Sequence, residues 1–337
     1  MIRKIYKLLK WFFYLTILFS IVWWLLAWTV PVKRPIAYGV TFSPFYAEEF
    51  GLKWKDVYTA MLDDLKIKYI RIPLYWNDTE RTPNAYDFGR TDWMMDEAAR
   101  HQAHVVLAMG RKLPRWPECH DPEWAKSLPQ DEQHKHLASL IEQAAKRYKN
   151  HSALLMWQIE NEPYLAFGDC PNYDSSIVDT EMALVKSIDQ EHPVMVTDSG
   201  ELSLWVHAVS RADVFGSTMY RSVHNKFFGD ITYPLPPSFF RVKRALAELV
   251  TGKKPPSIVI ELQGEPWSRE ANYKLSVDDH YKTMNPEIFK ETLEYASHSG
   301  FDTFYLWGVE WWYWLKTTQN KPEIWQLAKD AVASVNK

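Results

Sequence analysis

The chain has 337 residues, 47% of them hydrophobic and 24% charged, the balance of a folded protein long enough for one domain of about 250 residues plus an appendage. That apolar content excludes general disorder. A net charge of −3 and an isoelectric point near 6.4 provide no basic field to track phosphates, so nucleic acid is not an expected partner.

Residues 1–10 carry Arg3, Lys4, Lys7 and Lys10, and Trp11–Val30 follows as a run of 20 residues without a charge. About 20 such residues span a bilayer as a helix, so the run predicts a transmembrane signal anchor. Only Lys33 and Arg34 flank its far side. The excess of cations before it puts the N-terminus in the cytoplasm and the rest of the chain outside the cell membrane. A cleaved signal peptide is the alternative, but the run exceeds a usual h-region and no small-x-small site follows it. Trp23, Trp24 and Trp28 are expected at the outer headgroup level, where indoles concentrate.

After a Pro- and Lys-containing linker at residues 31–36, strand-like and helix-like segments alternate eight times through residues 37–337. Ala37–Phe42 precedes a helical pattern at Lys53–Leu65, and Tyr69–Leu74 precedes one near Trp93–Gln102. His104–Met109 leads to Gln130–Tyr148, where Leu137, Leu140, Ile141 and Ala144 repeat with helical period. Leu154–Ile159 is followed by a helix near Ser176–Gln190, and Val194–Thr197 by Leu202–Ser210. Val214–Met219 pairs with a helix from about Ser238 to Val250, Ile258–Leu262 with Glu287–Ser297, and Thr303–Leu306 with Glu323–Ser334. Such alternation predicts parallel βαβ units, in an open sheet or a closed barrel. Residues suited to chemistry follow strands two, four, six, seven and eight, and a barrel brings all strand ends to one face where an open sheet offers one switch point.

The stretch LLMWQIENEPY, ending at Tyr164, starts as a continuous apolar run and turns polar at Glu160, Asn161 and Glu162 before Pro163 stops it. Proline cannot donate to a ladder, so these carboxylates sit where pairing has finished and a substrate can reach. A second carboxylate strand lies at Ser257–Gln263, carrying Glu261. Strand period two puts Glu160 on the side of Glu162, which makes it a competitor, and Glu265 beyond Gly264 competes with Glu261. Arg71 closes strand two, where a buried cation is costly unless paired.

Cys119 and Cys170 are too few for a disulfide scaffold and fit no metal spacing. They are two free thiols or, outside the cytoplasm, one bridge between the loops after strands three and four. Isolated Gly39 and Gly110 make no phosphate loop, and His134 and His136, two apart, diverge on their helix. No metal or cofactor is expected.

Trp157–Pro163 resembles the fourth-strand acid/base motif of the retaining glycoside hydrolases of clan A, a cellulase-like and β-galactosidase-like superfamily. Ile258–Trp267, IVIELQGEPW, resembles their seventh-strand nucleophile motif. The resemblance extends weakly over Ala37–Ala331 without singling out one family. It implies an α/β fold of the (β/α)8, or TIM barrel, type, and double displacement by two carboxyls about 5–5.5 Å apart. By resemblance Glu162 is the general acid and then base, Glu261 the nucleophile, Asn161 the partner of the sugar 2-hydroxyl, and Arg71 and Tyr220 the residues touching the nucleophile. Glu160 then serves the layer below. Trp307 matches the indole under the reacting sugar, and Trp76 and Trp267, with Trp116 and the loop indoles Trp311, Trp312 and Trp314, extend the aromatic supply. His224 reads as a surface residue. The substrate implied is an oligosaccharide, polysaccharide or glycoconjugate. Two rivals remain: a catalytically silent carbohydrate-binding barrel, which needs no converging carboxyls, and an assembly or lipid-facing protein using the tryptophan-rich loop, which needs an exposed indole patch.

Overall fold

The structure, a computed structural model, describes residues 2–28, 36–225 and 229–334. Eight strands, numbered here β1 to β8, are Ala37–Thr41, Tyr69–Pro73, His104–Met109, Leu154–Ile159, Val194–Asp198, Val214–Met219, Ser257–Gln263 and Thr303–Trp307. Each pairs in parallel with its sequence neighbours, and β1 pairs with β8 from Ala37↔Thr303 to Thr41↔Trp307, which closes the barrel. The apolar runs follow from this geometry, because a parallel strand under a ring of helices is covered on both faces. Val106, Met195, Val214, Ile260 and Tyr305 fill the inside. Outside it, Gln130–Tyr148 buries Leu137, Leu140, Ile141 and Ala144, the predicted stripe. Pro286–Ser297 starts where Asn285 accepts the Ile288 N–H and proline takes the first helical position.

Three segments of the barrel depart from expectation. The fifth helix shrinks from Leu202–Ser210 to Val206–Val209. Leu202 and Leu204 face solvent, and Trp205 takes a left-handed φ of 67° while its indole N–H donates to the Ser199 carbonyl at 2.7 Å. After β6 an antiparallel hairpin, Ser222–Asn225 with Gly229–Thr232, inserts before the sixth helix. The segment expected as a tryptophan-rich loop after β8 is a helix, Val309–Thr318. It buries Trp311 and Trp312, whose indoles donate to His280 Nδ1 and the Gly264 carbonyl. Those two indoles are core, not substrate surface.

Cys119 and Cys170 are joined, with Cα atoms 5.1 Å apart, tying the loop after β3 to the loop after β4. The N-terminal segment is a helix, Ile2–Trp28. Among the described residues no helix is long and apolar enough to cross a membrane, which departs from the expected span at Trp11–Val30. The described side chains of this helix end at Ile21, and those of Trp23, Trp24 and Trp28, like residues 29–35 of the run and linker, lie outside the described residues.

Candidate active site

The end of β4 is a sharp turn. Glu160 and Glu162 both adopt left-handed backbone, with φ of 57° and 45°, a conformation that costs about 1 kcal/mol or more per non-glycine residue and persists only where the surroundings enforce it. The turn breaks the strand period and separates the two side chains. Glu160 swings toward the β3 end, where its two carboxyl oxygens accept the N–H groups of Arg111 and Lys112, each at 2.7 Å. Gly110 makes room, since a Cβ there would lie 2.4 Å from Glu160 Oε1. Glu162 reaches instead toward β6, where Oε1 accepts the Thr218 hydroxyl at 3.0 Å, while its backbone N–H donates to Thr197 Oγ1 on β5 at 2.8 Å.

Thr218 is the register partner of Glu261 on β7, so the contact that holds Glu162 brings it to the neighbour of the second carboxylate. Glu261 is gripped at both oxygens. Arg71 Nη1 donates to Oε1 at 2.6 Å and the Tyr220 hydroxyl to Oε2 at 2.9 Å. The same guanidinium donates to Gln158 Oε1 at 2.8 Å and to Asn161 Oδ1 at 2.7 Å. Each of the three nitrogens of this fully buried arginine thus has a partner, and its charge orients three side chains. Asn161 Oδ1 also accepts from Thr197 at 3.3 Å. That fixes the amide with Nδ2 pointing the other way.

Burial, followed by the charges of Glu261 and Glu118, pushes the Glu162 carboxyl well above the ordinary carboxylate range, with Lys112 and the Thr218 hydrogen bond acting against it. Burial disfavours the ionised form of a group so placed. Burial likewise lifts Glu160 to about 7, opposed by its two backbone N–H bonds.

The predicted aromatics divide. Trp267, half-buried, packs edge-on against Tyr220 with ring centroids 5.0 Å apart and meets Phe167 at 5.7 Å. Phe167 in turn meets Trp116, which is 69% exposed. This makes an aromatic edge beside Glu261. Trp307 lies at the end of β8 with its indole N–H on Glu265 Oε1 at 2.9 Å. Trp76 is fully buried, donates to Glu80 at 2.7 Å and packs edge-on with Trp124, so it offers no face to a sugar. His224 pairs with Asp230 on the hairpin, apart from these contacts.

The loop after β3 supplies what sequence reasoning missed. Arg115 is sandwiched between the rings of Tyr46 and Trp307, 3.6 and 4.1 Å from their centroids, and pairs with Glu265 and, at 2.9 Å, with Glu310. Glu265 Oε1 is thereby occupied by Arg115 and Trp307. Lys112 Nζ donates to the carbonyls of Glu162 at 3.0 Å and Leu165 at 2.8 Å, clamping the turn. Glu118 is buried within reach of Asn161. The available signal was the density of charge in Arg111–Asp121 directly after an apolar strand, which has no period to betray it.

The cellulase family model, glycosyl hydrolase family 5, matches residues 38–213. That span contains Glu162 and stops short of Glu261. β-Galactosidase LacZ of Heyndrickxia coagulans is 26% identical over 151 residues, 40% of this chain and 22% of that protein. Among solved structures, the polyextremophilic β-galactosidase of the Antarctic haloarchaeon Halorubrum lacusprofundi superposes with a TM-score of 0.55 at 15% identity, over 81% of this chain and 52% of that one. Endo-glycoceramidase II from Rhodococcus sp., as its lactosyl-enzyme intermediate, superposes at 0.53 and 14%, over 81% and 73%. These likenesses carry the fold. The chain spans about a fifth of the curated relative and about half of the archaeal structure. With the match covering more than half of the chain and the eight-stranded parallel barrel closed, the chain belongs to the cellulase family, glycosyl hydrolase family 5.

Proposed function

We propose that the chain is a retaining glycosidase acting on a β-linked sugar of an oligosaccharide, polysaccharide or glycoconjugate. The observation that carries this reading is the unequal treatment of two neighbouring carboxyls. Glu261 is fixed at both oxygens by Arg71 and Tyr220, while burial and the charge of Glu261 raise the neighbouring Glu162 carboxyl well above the ordinary carboxylate range. Glu261 attacks the anomeric carbon and forms an ester as Glu162 gives its proton to the departing oxygen. Glu162, now a base, takes a proton from the water that breaks the ester and restores Glu261. Asn161, its Oδ1 engaged by Arg71 and Thr197, keeps Nδ2 for the sugar 2-hydroxyl, a contact that strengthens as the oxocarbenium-like state develops. Trp267 and Trp307 supply apolar surface for the flat face of the ring.

The reading extends to placement, as a single-pass protein of the cell membrane with the barrel on the outer side. The charge-free run Trp11–Val30 behind four cations supports it. So do the exposed apolar side chains from Trp11 to Ile21 and a disulfide of the kind that persists in oxidising compartments.

One experiment tests both parts. The full chain and a fragment starting at Val32 are separated into membrane and soluble fractions and assayed on aryl glycosides, β-galactosides first because relatives carry that name. The full chain's activity is expected in the membrane fraction and the fragment's in the soluble one. No turnover across the panel sinks the glycosidase, and a freely soluble full chain sinks the anchor.

A further inference from the structure

Glu118 is a third carboxyl in the cluster, and the chain goes to some length to put it there. Its backbone is left-handed, with φ of 77°. Its N–H and carbonyl are tied within the loop, to the Arg115 carbonyl and the Leu113 N–H, both at 2.8 Å. The next residue, Cys119, is bridged to Cys170. From the facing loop Gly168, at φ of 96°, presses flat against it: a Cβ there would lie 2.6 Å from Glu118 Cβ and 2.9 Å from the Pro117 carbonyl. The Asp169 N–H closes the contact by donating to that carbonyl at 2.9 Å. A strained, doubly tethered carboxyl pressed into the barrel mouth needs a reason. Among the described residues its oxygens are hardly used, because the Asn161 Nδ2 contact to Oε2 is long, at 3.4 Å, and a carboxyl can take part in about four hydrogen bonds.

Resting on the glycosidase reading, we propose that Glu118 is a specificity-determining residue that hydrogen-bonds the sugar's 3-hydroxyl in the reacting subsite. Asn161 Nδ2 serves the 2-hydroxyl, so the carboxyl beside that amide lies at the adjoining position of the ring. Burial, with Glu261 adding to it and Lys112 and Arg71 opposing, lifts this carboxyl to about 8. In its neutral form it donates as well as accepts, which suits a hydroxyl partner. The Cys119–Cys170 bridge and Gly168 then act as a jig for one recognition contact.

The test uses the full chain and the nitrophenyl glycoside it cleaves best, with the 3-deoxy and 6-deoxy analogues. In the unaltered chain loss of the 3-hydroxyl is expected to lower kcat/KM by about 10- to 100-fold. Glu118→Ala should lose about the same factor on the parent substrate and nothing more on the 3-deoxy analogue, while the 6-deoxy penalty is equal in both proteins. Glu118→Gln, which still donates and accepts, should keep most of the activity. Equal kcat/KM for parent and 3-deoxy substrates in the unaltered chain, which requires no variant to fold, overturns the proposal. Penalties that multiply in Glu118→Ala overturn it too. A chain that cleaves no glycoside overturns the glycosidase reading and this inference with it, an outcome distinct from an active enzyme indifferent to the 3-hydroxyl.

Discussion

Two donors on one carboxylate do different work. Arg71 also carries Gln158 and Asn161, so its loss would leave several buried groups unpaired and confound any kinetic reading. Tyr220 makes a single contact to Glu261 and is the cleaner probe. Tyr220→Phe removes one hydrogen bond to a charged oxygen and keeps the ring against Trp267. It is expected to cost about 10- to 100-fold in kcat/KM with a thermal midpoint close to that of the unaltered chain. A variant with unchanged kcat/KM would show that the contact does not reach the reacting carboxylate. At this scale residue type and strand position marked Arg71 and the carboxylates, and the family resemblance singled out Asn161, Glu162, Tyr220 and Glu261; these side chains meet at one end of the barrel. The sequence could not separate Glu160 from Glu162 by period, because their separation depends on two left-handed residues in a turn. Nor did it reveal that Trp76 is buried, since an indole after a strand looks the same whether it lines a cleft or fills a core.

Among the elements, the eight strands and most of the helices were legible because a parallel barrel demands continuous apolar runs and one-sided stripes. The hairpin at Ser222–Thr232 and the helix Val309–Thr318 were not. The first is too short for a reliable alternation, and the second buries aromatic residues around much of its girth, so its amphipathic contrast is weak. The loop after β3 is organised by tertiary contacts alone: Glu160 on its N–H groups, Arg115 between two rings, and the bridge to Cys170. That bridge closes a span of 51 residues, for which chain entropy gives about 4 kcal/mol and removal of native bridges costs about 2–5 kcal/mol. Cys119→Ser with Cys170→Ser is therefore expected to lower unfolding free energy by about 2–4 kcal/mol in urea titration. An unchanged midpoint would mean that the two loops are held together without it.

Across the whole molecule the barrel mouth concentrates buried carboxyls. Burial lifts Glu118 to about 8 and Glu160, Glu201 and Glu310 to about 7, from a starting value of 4.5. Above pH 4.5 the unfolded chain releases protons that the folded one retains, so stability falls as pH rises through the window from about 4.5 to about 8. Buried His120, lowered to about 4 from 6.5, opposes this between those two values, and His134 and His280, also lowered from 6.5, oppose it too. The buried carboxyls of Glu162, Glu181 and Glu265, raised as well, add to the other side. The thermal midpoint is expected to decline from pH 5.5 to 8, and a midpoint that rises steadily across that range would contradict the assignment of these groups as buried acids. The central claim is that strands β4 and β7, nearly a hundred residues apart, deliver two carboxyls with complementary roles. The most direct measurement is azide rescue of the two variants on an activated aryl glycoside, with the anomeric configuration of the product read by NMR. Glu162→Ala, which lacks the base, should yield the glycosyl azide with retained configuration, and Glu261→Gly, which lacks the nucleophile, the inverted azide. Normal turnover by Glu261→Gly, with the inverted azide coming from Glu265→Gly instead, would contradict the account.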